Sequence, residues 1–337
     1  MHRKALPVLI LILAMFLPHS VNAWNATGHQ LVARIAWEQL NDNARRNVFA
    51  ILTEAPPDAC LLDLLPNTGS ADDRARTFFV RSSTWPDIVR PNDRPATAGH
   101  PAVQDTRECT KFHRRDWHFI NFFWKGISGA TNANQPRDLT PKELKAIQRP
   151  DVNAVLLLNL FEPFMACDKP QCGTSKEERA LTLAWILHLV GDIHQPLHTS
   201  ARVTATEPNG DQGGNLCKLS ESAKFSLHSF WDGIIDLASP RQQNEGEAAY
   251  IERMATLIMQ EHPRSQMTNR LRPFDFDAWA REGFETTKRR LYPNTLVCGP
   301  TQTPTNGYKT GAFTTSKEAI ALGGYRLAEL LNQLFGS

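Results

Sequence analysis

Two pairs of residues, each a histidine followed four positions later by an aspartate, show the clearest sign of chemistry in the sequence. His188 and Asp192 form one pair, and His228 and Asp232 form the other. On a helix, side chains four residues apart leave the same face about one turn apart, so each pair can converge on one ion. A ring nitrogen with a carboxylate is a ligand set that zinc accepts. A single pair is more often a surface ion pair, whereas two in one chain favour a metal site.

Further candidate ligands stand apart from these pairs. His198 follows the first pair closely, His29 lies five residues after Trp24, Asp87 follows Trp-Pro, and His118 lies among aromatic residues. Taken singly, a histidine among aromatic residues is usually packed in a core, and an aspartate after Trp-Pro usually belongs to a turn or a helix cap. Only in combination with the two pairs do they suggest one larger centre.

The segments around these residues are predicted to be helical. Ser175 and Glu178 form a capping box, and the apolar residues after them predict a helix that runs to about His194 and ends at Gln195-Pro196. Further helices are predicted at 28–40, from Thr140-Pro141, and at 153–164, 248–261 and 315–334. Segments 90–106, 128–138, 201–222 and 293–311 are rich in Pro, Gly, Asn and Thr and are predicted to be loops. The predicted fold class is all-α, with a mainly helical single domain over residues 24–337.

The amino-terminal 23 residues have the pattern of a secretory signal peptide. Basic residues precede an apolar run at 5–17, and Val21-Asn22-Ala23 is a small-residue cleavage site. Cleavage after Ala23 predicts a secreted or periplasmic protein that begins at Trp24. The signal peptide contains two of the 37 basic residues and none of the 35 acidic ones. The balanced charge of the rest argues against a basic coat protein of nucleic acid, and no later stretch predicts a membrane span.

Six cysteines follow the signal peptide, and an even number in an exported chain favours disulfides. Their pairing cannot be read from the sequence, although Cys167 and Cys172 could close a small loop. A zinc site built from cysteines is disfavoured, because no second pair has comparable spacing.

Taken together, these segments resemble the S1/P1 nuclease family of zinc-dependent, single-strand-specific endonucleases that also act as 3′-nucleotidases. The matching features are Trp24 with His29, Trp-Pro-Asp-Ile-Val-Arg at 85–90, His-Phe-Ile-Asn at 118–121, the segment 188–198, Gly-Gly-Asn at 213–215, His-Ser-Phe-Trp-Asp at 228–232, and Tyr-Arg-Leu-Ala-Glu-Leu-Leu-Asn at 325–332. The resemblance covers essentially the whole mature chain, and it implies the helical fold shared by phospholipase C and P1 nuclease.

The resemblance implies three zinc ions. The implied ligand sets are Asp87, His118, His188 and Asp192; Trp24, His29 and the shared Asp192; and His198, His228 and Asp232. Trp24 would contribute its amino nitrogen and carbonyl oxygen, which requires cleavage, because only a free amine with a pKa near 8 deprotonates readily beside a dication. Three carboxylates against six metal charges would leave the site at about +3, which attracts phosphate.

The implied reaction is hydrolysis of single-stranded DNA and RNA to products with a 5′-phosphate, and of 3′-nucleotides, by attack of metal-activated water on phosphorus. Asp87 and Arg90 are the implied catalytic residues, with Arg90 stabilising charge on the phosphoryl oxygens. Phe119 would stack on a base, which duplex DNA hides, and Asn215 would contact it. The resemblance implies no obligate protein partner.

Position 121 departs from the family pattern, because fungal members have aspartate where this chain has Asn121. An amide both donates and accepts hydrogen bonds, whereas a carboxylate only accepts. We therefore expect an altered base preference and retained activity.

Two alternatives remain open. Zinc-dependent bacterial phospholipases C share the implied fold and an amino-terminal tryptophan, but the short spacing from Trp24 to His29, Asp232 in place of glutamate and the aromatic Phe119 favour the nuclease. The second alternative is a non-catalytic exported zinc-binding protein. Structural zinc sites are closed by four protein ligands, whereas the implied set leaves at least one ion short of that number.

Overall fold

Helices make up most of the chain in the computed structural model, which describes residues 24–94, 96, 101–126, 136–147, 150–167, 173, 175–219, 225–271, 274–293, 296, 298–299 and 302–337. The α-helices of these residues are α1 (Ala26–Gln39), α2 (Asp42–Leu52), α3 (Ala71–Ser82), α4 (Trp85–Ile88), α5 (Pro141–Lys145), α6 (Ala154–Ala166), α7 (Lys176–Asp192), α8 (Leu227–Asp232), α9 (Ile234–Ala238), α10 (Glu247–Glu261), α11 (Arg264–Leu271), α12 (Phe276–Thr286) and α13 (Asn306–Phe335). Short 3-10 helices include Arg115–His118 and Pro196–Thr199. The predicted all-α class is confirmed. The predicted signal peptide lies outside the described residues.

Side-chain caps set several of the predicted boundaries. Ser175 accepts a hydrogen bond from the backbone of Glu178, whose side chain bonds back to Ser175, so α7 begins as the capping box predicts. Asn153 caps α6, and Thr140 caps α5 in the same reciprocal way. Local side chain to backbone hydrogen bonds therefore explain why these helices could be located from sequence.

Several parts of the prediction need correction. The carboxy-terminal helix begins at Asn306, inside the loop predicted at 293–311, because the Thr305 side chain accepts a hydrogen bond from the backbone of Tyr308. Helices α2, α3, α11 and α12 were not predicted. A small sheet was also missed: β1 (Phe122–Lys125) pairs antiparallel with β2 (Arg137–Asp138) and parallel with β3 (Ser200–Val203). Strands of two to four residues are too short to show alternation.

The long helices pack around α1, which contacts α3, α7, α10 and α13. The approach of α1 to α13 is close, because a Cβ added at Gly324 would lie 2.7 Å from the Cβ of Ile35. Helix α7 contacts α1, α2, α6 and α13, and its carboxy-terminal turn is completely buried. This packing places His188 and Asp192 in the interior. Within the described part of the chain, no helix is both long and apolar enough to cross a bilayer.

Disulfides pair Cys60 with Cys109 and Cys217 with Cys298. Cys167 is also disulfide-bonded. The expected loop between Cys167 and Cys172 extends outside the described residues. The prediction that cysteines form disulfides is confirmed for the two described pairs.

Candidate metal centre

The predicted histidine and aspartate ligands lie on six separate elements and converge in the interior. Helix α1 carries His29, α4 carries Asp87, α7 carries His188 and Asp192, α8 carries His228 and Asp232, and the two 3-10 helices carry His118 and His198. Their ligand atoms form three groups, in each of which the atoms lie within 4.8 Å of one another: His29, Asp87 and His188; His118, His188 and Asp192; and His198, His228 and Asp232. The first two groups share His188 and therefore form one continuous cluster.

Asp192 occupies the middle of this cluster. Its carboxylate oxygens lie 3.5 Å from Nε2 of His29, 3.3 Å from Nδ1 of His118 and 3.2 Å from Nε2 of His188. Neither oxygen makes a hydrogen bond of normal geometry, although the residue is fully buried. Ligand atoms that share a tetrahedral zinc at 2.0–2.1 Å lie roughly 3.3 Å apart. The observed spacing therefore fits atoms arranged around a common ion.

The third group has the same spacing. Nε2 of His228 lies 3.4 Å from Oδ2 of Asp232 and 3.1 Å from Nε2 of His198. Asp232 is held from its other side by Gln195, whose Nε2 donates to Oδ1 at 2.6 Å. The three ligand atoms thus lie around one point. His228 and Asp232 approach it from α8, and His198 approaches it from the 3-10 helix Pro196–Thr199.

Backbone carbonyls orient three of the five histidine rings. Nδ1 of His188 donates to the carbonyl of Ser83, Nδ1 of His198 to that of His118, and Nδ1 of His228 to that of Gly213, each at 2.7 Å. With the proton on Nδ1, the lone pair of Nε2 is free to bind a cation, and the ring cannot rotate away. These carbonyls complete the arrangement usually found behind metal-binding histidines.

Burial sets the charge state of several of these ligands. Burial lowers the pKa of His29 well below its usual value, and it raises the pKa of Asp232 well above the usual range for a carboxyl group. Burial also acts to raise the pKa of Asp192, but the charges of His188 and His198 outweigh it, so that pKa is lowered. The cluster therefore joins the neutral imidazole of His29 to the ionised carboxylate of Asp192, and imidazole with carboxylate is a donor set suited to divalent cations.

The amino-terminal segment lies against this centre. Trp24 is fully buried, and its Cβ lies so close to Gly28 that a Cβ added there would be only 2.7 Å away. The backbone N–H of Asn25 donates to the carbonyl of Asp232 at 3.3 Å. The start of the predicted mature chain is therefore attached to the helix that carries the third group.

The other predicted site residues are partly exposed, and Arg90 contacts the ligand Asp87 directly. Arg90 donates to Oδ1 of Asp87 at 3.1 Å, and both side chains are largely buried. Phe119 directly follows His118 and is half-buried, as are Asn121 and Asn215. All of these side chains retain solvent-accessible surface, which a substrate contact requires.

Sequence reasoning missed buried residues that contact a candidate ligand or the loop behind one. Gln195 was interpreted only as the end of a helix, yet it is fully buried, and its Oε1 also accepts from the backbone of Leu197 at 2.6 Å. Asp211 and Tyr292 were not singled out, although an aspartate just before a Gly-Gly-Asn turn is a signal that could have identified the first of them.

A mostly helical fold with a buried cluster of His and Asp side chains defines a class of proteins that can hold divalent cations. The sequence profile of the S1/P1 nuclease family matches residues 24–336, so the chain belongs to this family and is a phosphodiester hydrolase. Its relatives include two proteins of Arabidopsis thaliana of nearly the same length. Endonuclease 2 is 22% identical over 99% of both chains, and Endonuclease 1 is 25% identical over 97% of this chain and 93% of its own. The predicted family and enzyme class are confirmed.

Proposed function

We propose that the mature protein, beginning at Trp24, is a zinc-dependent endonuclease that cleaves single-stranded DNA and RNA to products with a 5′-phosphate and also hydrolyses 3′-nucleotides. The observation that carries the proposal is a set of buried ligand atoms without hydrogen-bond partners: both carboxylate oxygens of Asp192 and Nε2 of His29, which lies 3.5 Å from Oδ1 of Asp192. A buried polar atom left unpaired costs about 1–3 kcal/mol. Bound cations would satisfy those atoms that face the cluster.

The proposed occupancy is three zinc ions. Asp87, His118, His188 and Asp192 would hold the first, Trp24, His29 and Asp192 the second, and His198, His228 and Asp232 the third. Nitrogen and carboxylate ligands without thiolates suit zinc in an exported protein. The proximity of Asp87 to His29 and His188 supports its assignment as a ligand of the first ion.

Zinc in such a centre supplies a water of lowered pKa and positive charge for the phosphate oxygens. The side chains of the protein determine where the phosphate lies. The guanidinium of Arg90, which Asp87 orients at 3.1 Å, would donate to a phosphoryl oxygen. Asp192 stays ionised because of its histidine neighbours, so it can serve both of the ions that it would bridge.

The preference for single strands would come from side chains at the rim. The half-buried ring of Phe119 would stack on a base, and stacking tolerates any base but requires an exposed base face. Asn121 and Asn215 would contact the edge of that base. Rates on the four 3′-nucleotides in the Asn121→Asp variant test this assignment, since unchanged ratios would exclude a role for Asn121 in base preference.

Export would complete the centre. We propose that residues 1–23 are removed, that the mature chain is a single domain of residues 24–337, and that it is secreted or periplasmic. The two described disulfides support an oxidising compartment. The amino group of Trp24 would exist as a ligand only after this cleavage.

The central test compares two purified proteins, one that begins at Trp24 and one that retains Ala23 before it. The first should contain three zinc ions per chain and cleave single-stranded polynucleotide to 5′-phosphorylated products, and a chelator should abolish this activity. The extended protein should lack one ion and most activity. Full activity of the extended protein would contradict the role of Trp24.

The same preparation separates the alternatives. Hydrolysis of phosphatidylcholine without cleavage of polyadenylate would favour a phospholipase. A protein that holds three ions and hydrolyses neither substrate would be a non-catalytic zinc-binding protein, and the proposal would be wrong.

A further inference from the structure

The loop between β3 and α8 has an unusual backbone. Gln212, Gly213 and Gly214 follow one another with φ values of 54°, 61° and 82°, all in the left-handed region. A non-glycine residue such as Gln212 adopts this region only rarely, so the surrounding contacts must hold it there. The same loop supplies the carbonyl of Gly213 to the ring of His228.

Asp211 is buried beneath this turn and makes hydrogen bonds to its backbone. It is 1% exposed, and its Oδ1 accepts hydrogen bonds from the backbone N–H of Arg202 at 2.9 Å and of Gly214 at 3.2 Å. Its own N–H donates to the carbonyl of Arg202 at 2.9 Å, and its carbonyl accepts from the N–H of Leu216. Asp211 therefore connects the end of β3 to both sides of the Gly-Gly turn.

Tyr292 holds the other oxygen of this carboxylate. The hydroxyl of Tyr292 donates to Oδ2 of Asp211 at 2.6 Å, and the guanidinium of Arg202 lies 4.2 Å above the tyrosine ring. The fit around the turn is tight, since a Cβ added at Gly214 would lie 3.0 Å from the tyrosine hydroxyl. The disulfide from Cys217 to Cys298 constrains the chain just beyond the turn.

We propose that Asp211, held by Tyr292, is a positioning residue that sets the Gly213 carbonyl behind His228 and the side chain of Asn215 at the substrate edge. This inference rests on the proposed function, because it takes His228 as a metal ligand and Asn215 as a base contact.

The position of the Gly-Gly turn determines both where the Gly213 carbonyl lies and where the Asn215 side chain lies. Gly213 follows Asp211 by only two positions, and its carbonyl accepts the His228 Nδ1–H at 2.7 Å. The amide Nδ2 of Asn215 donates to the carbonyl of Gln212 at 2.8 Å, so this side chain follows the turn as well. Loss of the Asp211 contacts would therefore loosen the ring of His228 and shift Asn215.

The test uses three variants in the mature, metal-loaded protein. Asp211→Ala removes every side-chain contact, Tyr292→Phe removes one hydrogen bond, and Asp211→Asn keeps an oxygen that can accept from both N–H groups. The matched control is Tyr325→Phe, which removes another buried tyrosine hydroxyl, one that donates to the carbonyl of His262 at 2.9 Å and lies on α13.

The first readout is zinc retained per chain during titration with a chelator. Loss of support behind a metal-binding histidine lowers affinity by about 10- to 100-fold. We expect Asp211→Ala to lose one of three ions with an affinity about tenfold lower, Tyr292→Phe to show a smaller decrease of about three- to tenfold, and Asp211→Asn to recover most of the affinity. The Tyr325→Phe control should retain its ions like the wild type.

The second readout is the KM for the four 3′-nucleotides, which should rise and change its order among bases in Asp211→Ala and Tyr292→Phe but not in the control. If Asp211→Ala does not fold, Tyr292→Phe against Tyr325→Phe still provides the comparison. Equal chelator sensitivity and unchanged base order in both tyrosine variants would overturn the inference.

A His228→Ala variant shows whether a negative result concerns the proposed metal site or only the positioning role of Asp211 and Tyr292. If it loses one ion from a wild type that holds three, the proposed site exists, and a negative result for Asp211 and Tyr292 counts against their positioning role alone. If it loses none, the proposed function is wrong at this site, and the inference is wrong with it.

Discussion

Gly213→Ala should damage the metal centre through one methyl group. The backbone of Gly213 has φ of 61°, and a Cβ added there would overlap the carbonyl oxygen of Leu197 and lie 3.3 Å from Nδ1 of His228. The left-handed conformation costs an alanine about 1–2 kcal/mol, and forcing extra volume into a packed site costs a further 1–3 kcal/mol or so. The expected destabilisation is therefore roughly 2–5 kcal/mol.

A matched control separates these two costs. Gly173 has φ of 64°, but a Cβ there would meet nothing within 4 Å. Gly173→Ala carries the same backbone penalty and the same effect on the unfolded chain without the overlap. The difference between the two variants thus isolates the close approach of Gly213 to Leu197 and His228.

Thermal unfolding and zinc content measure the outcome. At roughly 2 °C per kcal/mol for a chain of this size, Gly213→Ala should unfold several degrees below Gly173→Ala. It should also lose one zinc ion at chelator concentrations that Gly173→Ala tolerates, because the carbonyl behind His228 must move. Equal melting temperatures and equal zinc retention in the two variants would refute the reasoning.

Three further predictions follow from buried contacts. Gln195→Ala should lower stability by about 1–3 kcal/mol in chemical denaturation and weaken zinc retention, because Asp232 loses its donor at 2.6 Å; unchanged zinc affinity would argue against this. Burial, and then the charge of Arg326, lowers the pKa of His194 to about 3. Below pH 6.5 this histidine therefore takes up a proton in the unfolded chain but not in the folded one, so the free energy of unfolding falls as the pH drops. Metal-free wild type should therefore lose about 2 kcal/mol more than His194→Gln between pH 6.5 and 5; parallel curves would exclude this. Replacing Cys60 and Cys109 by serine opens a 49-residue loop and should cost about 4 kcal/mol; a change below about 1 kcal/mol in denaturant titrations would contradict the loop-entropy estimate.

Local geometry explains the parts that could be predicted from sequence. The pairs His188 with Asp192 and His228 with Asp232 were recognisable because helical periodicity alone places residues four apart on one face. The start of α7 was recognisable because Ser175 and Glu178 cap it within four residues of chain. The order of short motifs along the chain was sufficient to indicate the family.

Only the tertiary structure decided which distant residues meet and what holds them. Asp87 and His118 carry no local sign of a shared site, and they join the cluster because α4 and a 3-10 helix pack against α7. The carbonyls of Ser83, His118 and Gly213 behind the histidines are invisible in sequence, because every residue has the same backbone carbonyl. The contacts of Asp211 and Tyr292 and the pairing of the cysteines depend in the same way on packing between segments far apart in the chain, which local periodicity does not encode.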